Sequence, residues 1–398
     1  MRKRFTLAWV RLAALALAFP AAGQVAIEPA TENGRRVIAI LDEVFRTPKP
    51  KATLSCDIRR LPPALNFALR HHTGYSVFVP LQQFAGGRAE MTILFRVRPM
   101  GGEPRYFGQT FRTRTLPARI QSDAVISGGV YVGEGQYDID WVMLDARERS
   151  CAKSWRVENR PRGEERDIED ALKPGEVVPV SIGRWAGTPE KENPLRVAIA
   201  VHAAPRFLRA TALSRFDISL LTTTLTTLLT KSPFMETGVS VFNLARQREI
   251  FRTARLDPPE FDRLLDSLEA LELGTVDVRE LSDRKAYTRL LLNIAQRESD
   301  TSPPPDAVIF LGPFHLLDDK PPESAREILA RPGAPRFYYL HLDLRGGMFP
   351  DAIERLVRAA GGRTFHITRP KDMAEAIEKI EADLRKGLNA AARSQDEK

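Results

Sequence analysis

The stretch "LRVAIAVHAAP" (195–205) decides how the second half of the chain is read. It is a continuous apolar run with no alternation. That is the pattern of a strand buried on both faces, as parallel sheets require. It runs into His202, a polar residue at the end of the strand. The chemistry of this strand end therefore becomes the main functional question.

Downstream, strand and helix patterns alternate. "ISLLTTTLTTLLTK" (218–231) has helical length, although its threonines are weak helix formers. "TGVSVFNLA" and "REIFRTA" read as two strands joined by a tight turn near Arg246 and Gln247. "DPPEFDRLLDSLEALELG" (257–274) carries a full helix signature: Asp257 as cap, Pro258 in the first turn, Glu260 three residues after the cap and Gly274 at the end. Phe261, Leu264, Leu265, Leu268 and Leu271 make one apolar stripe, which is core packing. A second helix, "SDRKAYTRLLLNIAQRE", follows directly. Then come the strand "DAVIFLG", the helix "ESAREILA", the strand "RFYYLHLD", the helix "PDAIERLVRAAGG", the strand "RTFHIT" and the helix "KDMAEAIEKIEADLRKGL". Buried strands alternating with helices predict a sheet covered on both faces.

Upstream the pattern differs. Residues 50–160 are short β-branched and aromatic segments divided by Gly, Pro and Asp, which predicts an all-β sandwich. In "GEGQYDIDW" (133–141) a glycine stands two residues before Tyr137, which opens an alternating strand. This resembles the tyrosine corner of immunoglobulin-like sandwiches, with Ile139 and Trp141 pointing inward. Residues 161–192 are charged and rich in Gly and Pro, and read as a linker. Residues 24–49 hold a short amphipathic helix, "NGRRVIAILDEVFR" (33–46), ended by "TPKPK". Residues 389–398 read as a flexible tail.

Residues 1–23 have a basic start (Arg2, Lys3, Arg4), an apolar stretch and small residues, with cleavage expected after Gly23. This is the pattern of a secretory signal, the alternative being an uncleaved anchor. No transmembrane span is expected after its removal. The formal charge of +8 is spread thinly. Residues 1–23 contribute +4, residues 24–160 carry 20 basic and 14 acidic side chains, and residues 161–398 carry 35 and 37. No dense basic block with interleaved aromatics appears, so nucleic acid is not an expected partner. The two cysteines, Cys56 and Cys151, are expected to pair in an exported chain, the alternative being two separate buried thiols.

The order from residue 193 to 388 resembles the von Willebrand factor type A domain. Together with the signal segment and the preceding β-domain, it resembles secreted type A-related proteins of acidobacteria. The resemblance implies an α/β, Rossmann-like fold with sheet order 3-2-1-4-5-6, preceded by the immunoglobulin-like sandwich. In that family the carboxyl end of the sheet holds a metal-ion-dependent adhesion site built from an Asp-x-Ser-x-Ser segment, a Thr and a second Asp. Here those positions fall on His202, Ala204 and Arg206, with Gly312 at the second Asp position. Alanine and glycine side chains offer no lone pair, and arginine is donor only. Thr275 and Ser282 offer hydroxyls of no use without the carboxylates. The oxygen set that a hard divalent ion needs is therefore not expected.

His202, His315, His341 and Asp343 all fall near the same sheet end and form a candidate replacement site for a transition metal, set against separate histidines that bond backbone or water. His71 and His72 are adjacent on a strand and face opposite sides. His366, between Phe365 and Ile367, reads as structural. No G-x-S-x-G segment or phosphate-cradling glycine loop is present. The expected function is that of an exported, non-enzymatic protein-interaction or adhesion-type module with no cofactor, a metal-free type A domain and an unknown protein partner. The alternatives are a transition-metal-binding protein or hydrolase using the histidines, and an envelope-assembly scaffold that binds through the sandwich.

Overall fold

The computed structural model describes residues 24–46, 53–147, 149–163, 165, 168, 172–180, 185–187, 194–206, 210–232, 234–273, 285–317, 319–344 and 349–396, with side chains to residue 387 in the last helix. The signal segment, Gly274, Thr275, Ser282 and parts of the 161–192 linker lie outside the described residues. The chain divides into two compact units, one of residues 1–66 and 70–181, the other of residues 67–69 and 182–398.

The described residues of the first unit form nine strands: β1 (Val25–Ala26), β2 (Asp57–Leu65), β3 (His71–Pro80), β4 (Glu90–Pro99), β5 (Arg105–Arg112), β6 (Asp123–Val132), β7 (Gly135–Asp145), β8 (Ser150–Asn159) and β9 (Val177–Pro179). They form two sheets, ordered β1-β5-β4-β7-β8 and β2-β3-β6-β9. Alternation sends one set of side chains inward from each sheet to a shared core, where Tyr75 meets Phe95 and Trp141 edge-on at 5.6 and 5.4 Å. The Tyr137 hydroxyl, fully buried, donates to the Gly133 carbonyl at 2.7 Å, and so ties the start of β7 to the chain before it.

Cys56 and Cys151 are joined by a disulfide. It links the segment entering β2, an edge strand of one sheet, to β8, an edge strand of the other. Leu54 N–H donates to the Ser150 carbonyl at 2.8 Å beside it. The sandwich extends beyond residues 50–160. β1 adds to one sheet from before that range, and β9 adds to the other from within the expected linker. Helix α1 (Glu32–Arg46) lays Val37 and Leu41 on the outer face of the five-stranded sheet, against Leu94, Tyr106, Val142 and Leu144.

The second unit contains β10 (Arg196–His202), β11 (Glu236–Asn243), β12 (Arg248–Thr253), β13 (Ala307–Pro313), β14 (Arg336–Leu342) and β15 (Arg363–Ile367). They form one sheet in the order β12-β11-β10-β13-β14-β15, with only the β11–β12 pair antiparallel. The helices are α2 (Arg215–Lys231), α3 (Pro258–Glu269), α4 (Ala286–Ser299), α5 (Ala325–Leu329), α6 (Ala352–Ala359) and α7 (Pro370–Asp396). Helices α2, α3 and α7 cover one face of the sheet, and α4, α5 and α6 the other. The threonine-rich α2 is held by a Ser214–Asp217 capping box, while Thr222, Thr224, Thr227 and Thr230 turn their hydroxyls back onto carbonyls four residues earlier. Asp257 caps α3 by accepting from Glu260 N–H. Helix α7 runs through Asp396, so the backbone of the expected tail, residues 389–398, is helical for most of its length.

The α/β, Rossmann-like class expected for the chain is corrected. Strands dominate the described residues: fifteen in three sheets, nine of them before residue 180. The expectation took its class from the second half, where strands and amphipathic helices alternate. The β-rich half forms two full sheets of its own, with nine strands against six.

Candidate functional site at the carboxyl end of the six-stranded sheet

The parallel strands β10, β13, β14 and β15 all end on one side of the sheet, and the strand ends and the segments that follow them carry the polar residues. Ligands of open sheets of parallel strands bind at this end. His202 closes β10, with 1% of its surface exposed. Its Nε2 accepts from Leu244 N–H at 3.4 Å, so the neutral ring carries its proton on Nδ1. Burial drives its pKa down to about 3, with the Pro313 backbone working against the shift.

The positions that the resemblance set against an adhesion site are now placed. Ala204 is buried. The Arg206 guanidinium lies over the Phe216 ring at 4.3 Å, and its backbone N–H donates to Asp217. Gly312 lies so close to β10 that a Cβ there would stand 2.6 Å from the His202 Cβ. A carboxylate at this position has no room while His202 keeps its place. Gly312→Ala is expected to cost the second unit about 1–3 kcal/mol by overpacking. Urea unfolding measures this, and an unchanged midpoint would mean that the two strands part without strain.

The proposed histidine set separates into two groups. His202 and His315 meet edge-on with ring centres 4.9 Å apart. His315 Nδ1 accepts from Leu317 N–H at 3.2 Å, and its Nε2 lies 3.5 Å from Asp351 Oδ2. Burial holds the His315 pKa well below 6.5, and the nearby His202 and His341 add to the shift. His341 belongs to the other group. It stacks on Tyr339 at 4.9 Å and meets His366 at 5.0 Å. Its pKa falls to about 4, chiefly through burial and then through His366, while Asp343 pulls it up. Asp343 is buried and acts on His341 electrostatically.

Asp351 joins the two groups. It is fully buried and caps α6, its Oδ1 accepting from Glu354 N–H at 2.9 Å and its Oδ2 from the Tyr339 hydroxyl at 3.1 Å. His341 Nε2 stands 3.9 Å from the same Oδ2. Burial raises the Asp351 pKa to about 7, although Glu354 N–H, the Tyr339 hydroxyl and the His315 backbone favour the anion. The helix "PDAIERLVRAAGG" was visible, but the contact of its Asp351 with three distant side chains was not.

Two further residues were missed. His366 pairs in register with His341 across β15 and β14, so both rings leave the same face of the sheet. Glu354, on α6, faces them from above, its Oε2 3.9 Å from His366 Nε2. The ligand atoms of His341, Glu354 and His366 all lie within 4.8 Å of one another, and among the described residues this is the one group of three such side chains gathered so closely. The signal for His366 was the matching place of a histidine in two neighbouring strands. It became readable only once the register was known.

No protein-family model matches the chain. No curated protein matches it. Among solved structures it is similar to a β-glucuronidase of Bacteroides uniformis, at 10% identity and a TM-score of 0.19, over 78% of this chain and 45% of that one. Bacteroides uniformis β-glucuronidase 2 covalently bound to cyclophellitol-6-carboxylate aziridine gives 9% and 0.18, over 78% and 45%. The chain spans less than half the length of these enzymes, and a likeness this slight assigns it neither fold nor activity.

Proposed function

We propose that the protein is an exported, non-enzymatic module that binds another protein through the loops at the carboxyl end of its six-stranded sheet. One observation carries this reading. Leu316, in the loop after β13, and Phe349, before α6, are 66% and 70% exposed. Their loops are joined by Ala352 N–H donating to the Leu317 carbonyl at 2.8 Å. Large apolar side chains held outward on braced loops are suited to act as anchors in a protein interface. The resemblance to type A-related proteins gives a second reason to expect a protein partner. The disulfide supports export, because such bonds persist in oxidising compartments. No described helix is long and apolar enough to cross a membrane.

Affinity capture from the native cell envelope tests the reading, with the wild-type chain and a Leu316→Asp/Phe349→Asp double variant run side by side. A specific partner retained by the wild type is expected to bind the variant at least about tenfold more weakly, the loss of roughly 1.4 kcal/mol or more at anchor positions. Both proteins should melt alike, since neither side chain is buried. A partner held equally well by both would move the binding surface elsewhere, and the sandwich would become the half to test.

A further inference from the structure

The group formed by His341, Glu354 and His366 goes beyond that reading and does not depend on it. β14 and β15 fix the two histidines in register on one face of the sheet. Helix α6 covers that face and brings Glu354 in, three residues after its Asp351 cap. The carboxylate is divided in its contacts: Oε1 accepts from Arg358 at 2.8 Å, while Oε2 faces His366.

His341 supplies the second, independent sign of a ligand. It is 1% exposed, yet neither ring nitrogen has a hydrogen-bond partner among the described residues. Buried polar atoms are almost always satisfied, because leaving one unpaired costs about 1–3 kcal/mol. The ring stacks on Tyr339 at 4.9 Å and on Phe314 at 5.9 Å, which restrains it from turning. An electron-pair acceptor brought to the site would satisfy it. The Asp351 carboxylate, 3.9 Å from its Nε2, is too far to hydrogen-bond the ring, and a shift of about 1 Å would bring it to where an outer carboxylate orients a ligating imidazole.

We propose that His341, Glu354 and His366 bind a zinc ion, with a fourth position open to solvent. Two imidazoles and one carboxylate suit zinc, or cobalt in its place, and disfavour magnesium and calcium, which prefer oxygen. Bonds of about 2.0–2.1 Å on a tetrahedron put ligand atoms about 3.3 Å apart, so the group must tighten from its present spread of up to 4.8 Å. His366 provides that movement. Its side chain is 48% exposed, so it can swing inward, and its side of the site is the route by which the ion enters.

The test uses the untagged full chain, stripped with a chelator and then titrated with zinc in equilibrium dialysis and with cobalt in visible absorption. One equivalent of zinc and the intense d–d bands of four-coordinate cobalt are expected. His366→Ala changes a half-exposed ring and leaves the fold intact. It is expected to weaken zinc binding by more than about 100-fold, beyond what loss of an outer partner costs. Glu354→Gln should weaken binding in the same direction, and His72→Ala, in the other unit, should leave it unchanged. Stoichiometric binding that survives His366→Ala, binding lost in His202→Ala instead, or no binding of either metal at millimolar concentration would each overturn the proposal.

Discussion

Replacing Cys56 and Cys151 together by alanine is expected to lower the stability of the first unit by about 4 kcal/mol. The bridge spans 95 residues, and closing a loop of that length removes about 4–5 kcal/mol of chain entropy from the unfolded state in the simplest account. Its position adds to the effect. The bond ties together two sheets at an edge where they share few other links, the Thr53–Ser150 bridge and the Lys153 side chain donating to the Ile58 carbonyl among them. Trp141 and Trp155 lie in the core that the two sheets share, so their fluorescence in a urea titration reports this unit. The measurement compares the double alanine variant with the oxidised wild type. A loss under about 1 kcal/mol would mean that the sandwich is held at that edge by its core alone.

Acidification is expected to destabilise the second unit steeply below about pH 6.5. His202, at about 3, His341, at about 4, and His315, well below 6.5, stay neutral in the folded state, while the unfolded chain takes up protons near 6.5. A depressed histidine contributes stability that is complete above its unfolded pKa and is lost as the pH falls toward its folded one. Asp351 acts in the opposite direction. Its folded pKa is raised from 3.8 to about 7, so its contribution is complete below 3.8 and is lost as the pH rises through 7. Each group changes stability by about 1.4 kcal/mol per pH unit inside its window. Below about pH 6.5 the histidines outnumber the one opposing carboxyl, so the net effect of acidification is a loss of stability.

Hydrogen exchange of β14 amides at pH 7 and pH 5, in chelator, measures the effect. Equal protection at the two values would show that the histidines are hydrated in the native state. Asp351→Asn separates the two signs. Asparagine still caps α6, since it accepts from Glu354 N–H. The variant should therefore match the wild type only below about pH 3.8 and gain on it as the pH rises, exceeding it by more at pH 7 than at pH 5.

Local signals were readable wherever the reason for them is local. Asp257 caps α3 because its side chain needs only a backbone donor three residues away. Tyr137 could be recognised because its partner, the Gly133 carbonyl, is four residues distant. Threonine content argued against α2, yet the Ser214–Asp217 box and a buried leucine face outweigh it. Strands β1 and β9 escaped notice because two and three residues carry no periodicity, and they exist only through their pairing with β5 and β6. The class of the whole chain was misjudged for a related reason. A buried parallel strand such as 195–205 announces itself, whereas the extent of an antiparallel sandwich depends on pairings that no single segment reveals.

From the sequence alone came the two-part division of patterns, the pairing expected of two cysteines in an exported chain, and the absence of oxygen donors at His202, Ala204, Arg206 and Gly312, since each follows from side-chain chemistry or local spacing. Only the tertiary structure could bring His341, Glu354 and His366 together and set Asp351 against His315. Those encounters depend on strand register and on which helix lies over which face of the sheet. A shift of one residue in the β14–β15 pairing would send one histidine to the opposite face and leave no such group.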